Sequence, residues 1–186
     1  MATPTRLDMI ANPTRFMAWS APLMWALVVL AAGLLTVAMY QAFFVAPVDY
    51  QQGHTVKIMF VHVPAAWLAM MGYAIVAFSS FGLLVFRHPL ADVSAKAAVP
   101  IGAAFTVLAL VTGSLWGKPM WGTYWVWDAR LTSVLILFFM YLGLMALRAS
   151  MDDHVLAGRV CAVLAIVGVV ILPFIKISVE GLSIPW

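Results

Sequence analysis

Long apolar stretches alternate with short polar segments along the chain. Five stretches contain no Asp, Glu, Lys or Arg, and they cover residues 16–48, 58–86, 97–117, 131–147 and 160–175. A helix needs about 20 mostly apolar residues to cross the hydrocarbon core of a bilayer. Proline and polar positions narrow these stretches to five predicted membrane helices, at about residues 22–44, 60–86, 97–115, 131–147 and 156–175.

The composition also indicates a membrane protein. Of the 186 residues, 65% are hydrophobic and 9% are charged, and the mean hydropathy is +1.04. A water-soluble core could not bury this much apolar surface, and helices keep their backbone groups paired inside lipid. We therefore expect an all-α integral membrane protein, a bundle of about five transmembrane helices with connections of about ten to fifteen residues. Residues 1–186 are expected to form a single multi-span membrane domain.

The basic residues predict an orientation. They are spread thinly and form no basic patch, so membrane lipid is an expected partner and nucleic acid is not. With the N-terminus in the cytoplasm, the cytoplasmic side holds more basic residues than the other side, as the positive-inside rule requires. The cytoplasmic set is Arg6, Arg15, Arg87, Lys96, Arg148 and Arg159, and the other set is Lys57, Lys118, Arg130 and Lys176. This modest bias places residues 116–130 outside the cytoplasm.

Half of the eight tryptophans lie in one polar segment, which reads WGKPMWGTYWVWDAR from residue 116 to residue 130. An aromatic belt at the membrane interface would explain tryptophans at the ends of spans. A belt, however, needs neither the glycines that follow Trp116 and Trp121 nor the helical spacing of Trp121 and Trp125. Indole rings offer flat, rigid apolar area, and adjacent glycines would let a planar ligand approach the backbone. The segment therefore predicts a loop that binds a flat, apolar ligand.

Charged residues accompany these tryptophans. Arg130 and Lys118 are candidates to meet carboxylates at the edge of the ligand. Asp128 would be costly if it were buried without a partner. We expect it to pair with Arg130, to accept backbone N–H groups or to cap the helix that begins near Leu131, in preference to a catalytic role.

His62 stands at the predicted start of the second span, in the stretch MFVHVPAAW. Water or a carbonyl group commonly satisfies a lone histidine at this depth, but the predicted orientation puts His62 and the tryptophan segment on the same membrane face. A neutral imidazole is a common axial ligand of haem iron. His54, in the polar stretch DYQQGH, is a weaker candidate for a second ligand.

Common signatures of hydrolytic enzymes are missing from the sequence. It contains no G-x-x-x-x-G-K-[ST] phosphate loop, no G-x-S-x-G elbow and no H-E-x-x-H pair. We therefore expect no hydrolysis of ATP or peptides by these routes, so any energy input must come from partners.

The sequence resembles the CcmC family, haem-handling membrane proteins of cytochrome c maturation with a tryptophan-rich external loop. The resemblance rests on ALVTGSLWGKPMWGTYWVWDARLTS, IMFVHVPAAW and AVPIGAAF, and it runs from about residue 15 to residue 180. It implies that haem b is bound transiently on the periplasmic face of the cell inner membrane, with His62 as an axial ligand of the iron. The matching loop positions are Trp116, Trp121, Trp125, Trp127, Asp128 and Arg130.

The resemblance also implies partners. The family delivers haem to the periplasmic haem chaperone CcmE, a small membrane subunit CcmD assists, and the ATP-binding cassette subunits CcmA and CcmB drive release. The family pattern continues after SVE at residues 178–180 with a second axial histidine and a sixth span, whereas this sequence reads GLSIPW. We expect weakened haem retention from that shortened ending.

The expected function is that of a haem carrier and assembly factor, and not of an enzyme, and two other functions stay open as alternatives. Haem lyases, enzymes that attach haem to apocytochrome, also carry tryptophan-rich loops, but they usually have more spans and more external histidines. A structural or transport subunit would use the same tryptophans only as an interfacial aromatic belt, without haem.

Overall fold

Six α-helices account for most of the residues that the structure, a computed structural model, describes, namely residues 13–180. They are α1 (Pro13–Tyr40), α2 (Met59–Phe86), α3 (Pro89–Trp121), α4 (Ala129–Ala149), α5 (His154–Gly168) and α6 (Ile171–Glu180). A π-helical turn, Gln41–Val45, extends α1, and a 3₁₀ helix, His54–Ile58, precedes α2. The predictions for Arg6 and for the GLSIPW ending lie outside the described residues.

Five helical segments within residues 13–180 are long and apolar enough to cross a membrane. They are Thr14–Val45, His54–Phe86, Leu90–Trp121, Ala129–Ala149 and His154–Ser178. The predicted fold class, an all-α membrane protein with about five spans, is confirmed.

The third span continues much further than the sequence predicts. Helix α3 runs for 33 residues and ends only at Trp121, with Pro100 and Pro119 inside it. Gly122 stops the helix because it adopts a left-handed φ of +78°, which favours glycine, and its N–H donates to the Lys118 carbonyl at 3.0 Å. The prediction that residues 116–130 form one loop is therefore wrong, since its first part is helical.

The connections between helices are shorter than predicted. Residues 87–88 alone join α2 to α3, residues 122–128 join α3 to α4, and residues 150–153 join α4 to α5. The expected length of ten to fifteen residues is therefore wrong for these three, because α3, α4 and α5 begin before the apolar runs that predicted them, and α3 and α4 also end after theirs.

The fifth predicted span consists of two helices with a turn between them. Helix α5 ends at Gly168, and α6 begins at Ile171 with Pro173 in its first turn. Proline has no N–H to donate, which costs little in a first turn because N–H groups there lack an intrahelical acceptor. The break lets α6 pack against α4.

The chain divides into two units, Met1–Val48 and Asp49–Trp186. In the described part of the first unit, the side chains of α1 are exposed almost throughout, and Ala42 in the π-helical turn is buried. The single domain over residues 1–186 stays a prediction.

A tyrosine side chain contacts three helices of the second unit. Helices α2 and α3 approach so closely that a Cβ atom added to Gly72 would lie 3.0 Å from the Gly102 Cα. The Tyr141 side chain, from α4, reaches this crossing and donates its hydroxyl to the Ala69 carbonyl at 2.7 Å. This contact fixes the spacing of α2, α3 and α4, whose ends carry the predicted site.

Candidate functional site

The His62 side chain is half-buried between α2 and α3. Its Nδ1 lies 3.0 Å from the Ala109 carbonyl oxygen and 3.1 Å from the Thr112 hydroxyl. A carbonyl oxygen only accepts hydrogen bonds, so the short contact to Ala109 requires the proton on Nδ1. In the neutral imidazole the other ring nitrogen, Nε2, then keeps its lone pair. This arrangement is how proteins commonly prepare a histidine to bind a metal.

The residues around His62 fit this assignment of the proton. The Thr112 hydroxyl donates to the Leu108 carbonyl at 2.6 Å, which leaves its lone pairs to accept from His62. Gly113 makes room for the ring, because a Cβ atom there would lie 2.9 Å from the His62 Cε1. Helix α3 thus holds the imidazole in one orientation.

A mostly apolar cavity of about 320 Å³ opens beside His62. Helices α2, α3, α4 and α6 contribute to its walls. Four of the predicted site residues line it, namely His62, Trp116, Trp121 and Arg130. The volume lies within the range of sites for small ligands and cofactors, at the lower end.

Trp116 and Trp121 form one aromatic corner of the cavity. Their rings meet edge to face, with centroids 5.3 Å apart and an interplanar angle of 86°. The Trp116 Nε1 donates to the Gln52 side-chain oxygen at 2.9 Å, which anchors that indole. A Cβ atom added to Gly117 would lie 3.0 Å from the Trp121 ring, so this ring already fills the space beside the glycine. The prediction that Gly117 admits a planar ligand to the backbone is therefore wrong.

Trp125 and Trp127 are placed differently. They lie in the non-helical segment that follows Trp121, so the predicted helical pairing of Trp121 with Trp125 is wrong. Their rings contact each other edge to face at 5.5 Å, and neither residue is among those that line the cavity. Trp127 is 72% exposed, whereas the Trp125 Nε1 is buried without a hydrogen-bond partner in the described part of the chain.

Asp128 caps α4. Its carboxylate accepts the N–H of Leu131 at 2.7 Å, and α4 begins at Ala129. This confirms the predicted capping role. Within residues 13–180 Asp128 forms no ion pair with Arg130, so the alternative role of holding that arginine is wrong. By starting the helix where it does, Asp128 nevertheless decides where Arg130 lies.

Two other predicted residues do not line the cavity. The Lys118 Nζ donates to the Gly122 carbonyl at 2.9 Å and lies 5.2 Å from the centroid of the Tyr124 ring. His54 is exposed at the start of the 3₁₀ helix. Among the described residues, no group of three His, Cys, Asp or Glu side chains is arranged to hold a metal ion.

Comparison with known proteins identifies the family. Residues 6–183 match the family CcmC, heme exporter protein C. This chain belongs to the CcmC family. The match covers both the His62 segment and the tryptophan-rich segment, so the CcmC resemblance stated from the sequence is confirmed.

Individual relatives are similar over most of the chain. A heme exporter protein C of Bradyrhizobium diazoefficiens is 62% identical over 171 residues, which cover 92% of this chain and 65% of that protein. One of Escherichia coli K12 is 48% identical over 180 residues, 97% of this chain and 70% of that protein. A ccmC-like mitochondrial protein of cytochrome c biosynthesis from Marchantia polymorpha is 48% identical over 147 residues, 79% of this chain and 62% of that protein. The chain thus spans about two thirds of the length of these CcmC relatives.

The site residues predicted from the sequence did not include Trp67 and Lys176, which also line the cavity of this CcmC-family chain. The helical spacing of the sequence around His62 could have indicated Trp67, because the cavity-lining positions of α2 recur every three or four residues. They are Met59, His62, Val63, Ala66, Trp67, Ala69 and Met70. For Lys176 there was none, since it reaches the cavity through the packing of α6 against α4.

Proposed function

We propose that this chain binds haem b transiently in the His62 cavity and passes it to another protein during cytochrome c maturation. One observation carries the proposal: the Nδ1 of His62 donates to the Ala109 carbonyl, so the Nε2 of the neutral imidazole keeps a lone pair beside an apolar cavity. Haem iron takes a neutral imidazole as an axial ligand. The names of the Bradyrhizobium and Escherichia relatives, heme exporter protein C, support the same ligand.

The other residues then have distinct tasks. The indoles of Trp116 and Trp121 offer flat apolar surface to a porphyrin plane. Arg130 brings a guanidinium to the same cavity, where it can pair with a propionate. Asp128 acts indirectly, because it starts the helix that carries Arg130. Trp125 and Trp127 are proposed as an outer aromatic surface next to this site.

The delivery steps follow the family pattern. We propose that the cavity faces the periplasm across the cell inner membrane and that the chaperone CcmE receives the haem there. CcmD is the proposed assisting subunit, and CcmA and CcmB are the proposed source of energy for release. The chain itself is proposed as a carrier rather than an enzyme, since the residues around the cavity bind and orient a ligand.

The test is a haem titration of the purified protein in lipid nanodiscs, followed by visible absorption. We expect a saturable Soret shift for the unchanged protein. His62→Ala should weaken binding by about tenfold or more and alter the spectrum, because it removes the axial ligand. His54→Ala is the matched control, a histidine of the same unit outside the cavity, and it should leave binding and spectrum unchanged.

The tryptophans give the second part of the test. Trp121→Ala should weaken haem binding because its ring lines the cavity, whereas Trp125→Ala should have a smaller effect on affinity. If the unchanged protein shows no saturable Soret shift, or if His62→Ala and Trp121→Ala leave the titration as it was, the haem proposal is wrong. An interfacial aromatic belt would then account for the tryptophans.

A further inference from the structure

A second cavity lies at the other end of the second unit. Its volume is about 330 Å³, and helices α2, α3, α4 and α5 form its walls. In α2, the walls of the His62 cavity reach Met70, whereas those of the second cavity begin at Val76. Between these positions Tyr73 is fully buried, and its ring meets the Tyr141 ring edge to face. The second cavity is therefore separate from the haem site proposed above.

The second cavity is apolar in its depth and charged near its rim. Val99 and Leu144 belong to its buried apolar wall. The charged residues of the lining are Asp92 and Lys96, near the start of α3, and Arg148, in the last turn of α4. We call this site the Lys96 cavity. Its apolar depth and charged rim suit a ligand that has an apolar part and an ionic group.

The rim of the Lys96 cavity has more positive than negative charge. Asp92 and Arg148 form an ion pair through Oδ2 and Nη2, so they balance each other. Lys96 is exposed, and within the described part of the chain it forms no hydrogen bond or ion pair. His154, exposed at the start of α5, adds a positive charge when it is protonated. The unbalanced charge of Lys96 therefore favours an anionic group on the ligand.

Asp92 holds the Arg148 guanidinium at this cavity. The Asp92 Oδ1 is buried and has no hydrogen-bond partner among residues 13–180. It faces α5, where a Cβ atom added to Gly158 would lie 2.7 Å from it. Arg148 bonds to Asp92 through Nη2 alone, so its Nε and Nη1 keep their donors for another acceptor. A phosphate is such an acceptor, and guanidinium groups bind it well.

We propose that the Lys96 cavity binds one anionic phospholipid, with the phosphate at Lys96 and Arg148 and part of an acyl chain in the apolar depth. Basic pockets between membrane helices favour anionic headgroups. A soluble phosphate compound would leave the apolar walls in contact with water, whereas an acyl chain covers them. The inference does not depend on haem. A lysine that only extends toward the headgroups would attract anionic lipid without binding a defined molecule.

The test is native mass spectrometry of the purified protein in detergent micelles, which counts the lipid molecules that stay bound. The probes are dioleoylphosphatidylglycerol, which is anionic, and dioleoylphosphatidylcholine, which is zwitterionic and has the same acyl chains. We expect one phosphatidylglycerol per chain to bind more tightly than phosphatidylcholine. Lys96→Gln should weaken phosphatidylglycerol binding by about fivefold, because it removes one positive charge beside the phosphate. Lys96→Arg should keep the affinity.

Arg159→Gln is the matched control. It also removes one positive charge, from an exposed position in α5, but Arg159 does not line the Lys96 cavity. It should leave phosphatidylglycerol binding unchanged. A third probe, glycerol phosphate, has a phosphate and no acyl chain, and it should not displace the bound lipid even in large excess.

A loss of affinity confined to Lys96→Gln and to phosphatidylglycerol supports the inference. If Lys96→Gln and Arg159→Gln weaken binding equally, or if neither does, the lipid is attracted by the surface charge alone and the proposed site is wrong. If glycerol phosphate displaces the lipid, the ligand is a soluble phosphate compound and not a lipid. The Soret titration of Lys96→Gln should match that of the unchanged protein, so this test and the haem test fail independently.

Discussion

At the scale of single residues, the state of His62 depends on its neighbours in α3. The Ala109 carbonyl and the Thr112 hydroxyl fix the proton on Nδ1, and Gly113 leaves the space in which the ring lies. A histidine held in this way has already lost much of its rotational freedom, so less entropy is lost when it binds a metal. The small side chains of α3 are therefore as much part of the site as the imidazole.

The substitution Gly113→Ala tests whether α3 holds the imidazole in position. The new methyl group would lie 2.9 Å from the His62 Cε1, so the ring must move and its hydrogen bond to Ala109 must weaken. We expect haem affinity to fall by roughly tenfold, the effect typical of groups that hold a metal ligand in place, while the helical circular dichroism spectrum is retained. The measurement is the same Soret titration.

Gly143→Ala is the control for that substitution. A Cβ atom at Gly143 in α4 has no neighbour within 4 Å, so the same chemical change meets open space. Its affinity for haem should equal that of the unchanged protein. If the two alanine variants bind haem with equal affinity, the space at Gly113 does not control the position of the imidazole.

At the scale of helices, the ends are set by capping residues rather than by hydrophobicity. Asp128 starts α4, Asp153 starts α5, and Gly122 ends α3. Each cap satisfies backbone groups that have no partner within the helix. The apolar pattern therefore located every span but misplaced the boundaries, above all in the tryptophan-rich segment.

The Asp153 cap predicts a dependence on pH. Its carboxylate accepts the N–H groups of Leu156 and Val155, and these hydrogen bonds lower the pKa of the Asp153 carboxyl below its ordinary value. Its stabilising effect is fully present above the pKa that the carboxyl has in the unfolded chain, and it is lost as pH falls through the lowered pKa of the folded state. We expect the thermal unfolding midpoint to fall as pH is reduced from about 5 to about 3.

The variant Asp153→Asn isolates this effect. Asparagine is an equally good cap but does not ionise, so part of the acid-induced fall in the unfolding midpoint should disappear. Asp152→Asn is the matched control, because the Asp152 side chain makes no capping hydrogen bond in the described residues. If the unfolding midpoints of Asp153→Asn and of the unchanged protein fall by the same amount over this pH range, protonation of Asp153 does not cause the loss of stability.

At the scale of the whole molecule, the second unit has two chemically different ends. One end carries the His62 cavity, near the start of α2 and α4 and the end of α3. The other carries an ion pair between Asp92, in the first turn of α3, and Arg148, in the last turn of α4. The pair is partly buried, so loss of one partner would leave a charge with reduced access to solvent. The helix directions alone place these two features at opposite ends.

The orientation of these ends in the membrane is a prediction from the basic residues. Thr123→Cys places a thiol in the segment after α3, at the cavity end, and Asp152→Cys places one in the connection between α4 and α5. With a membrane-impermeant maleimide added to cells that have a permeabilised outer membrane, we expect labelling of Thr123→Cys alone. Asp152→Cys should react only after the inner membrane is opened.

The unchanged chain is the control for this labelling, because its one cysteine, Cys161, is buried. The reverse result, with Asp152→Cys labelled in intact inner membranes and Thr123→Cys protected, would place the cavity in the cytoplasm. It would contradict the proposed delivery of haem to a periplasmic chaperone and leave the haem site itself unaffected.

Several features of the site could be predicted from the sequence because they depend on residue type and on nearby residues. His62, Trp116, Trp121 and Arg130 were predicted as site residues, and the structure brings them around one cavity. Trp125 was expected to act with Trp121 in a helix, but the helix stops first. The helix ends at the glycine with a left-handed φ. The sequence contains two Trp-Gly pairs, and nothing in them indicates which glycine will end the helix.

By itself, the sequence determined that this is an all-α membrane protein with five spans and a tryptophan-rich segment, because hydropathy and length are local properties of a chain. The tertiary structure alone decided which nitrogen of His62 carries the proton and that Lys176 and Trp67 share its cavity. The hydrogen bond to Ala109 joins residues 47 positions apart, and Lys176 lies on a helix that begins after a turn and packs against α4. Such contacts depend on how the helices pack against one another. In a membrane protein, apolar side chains face lipid as readily as another helix, so the hydrophobic pattern does not predict which helices pack together.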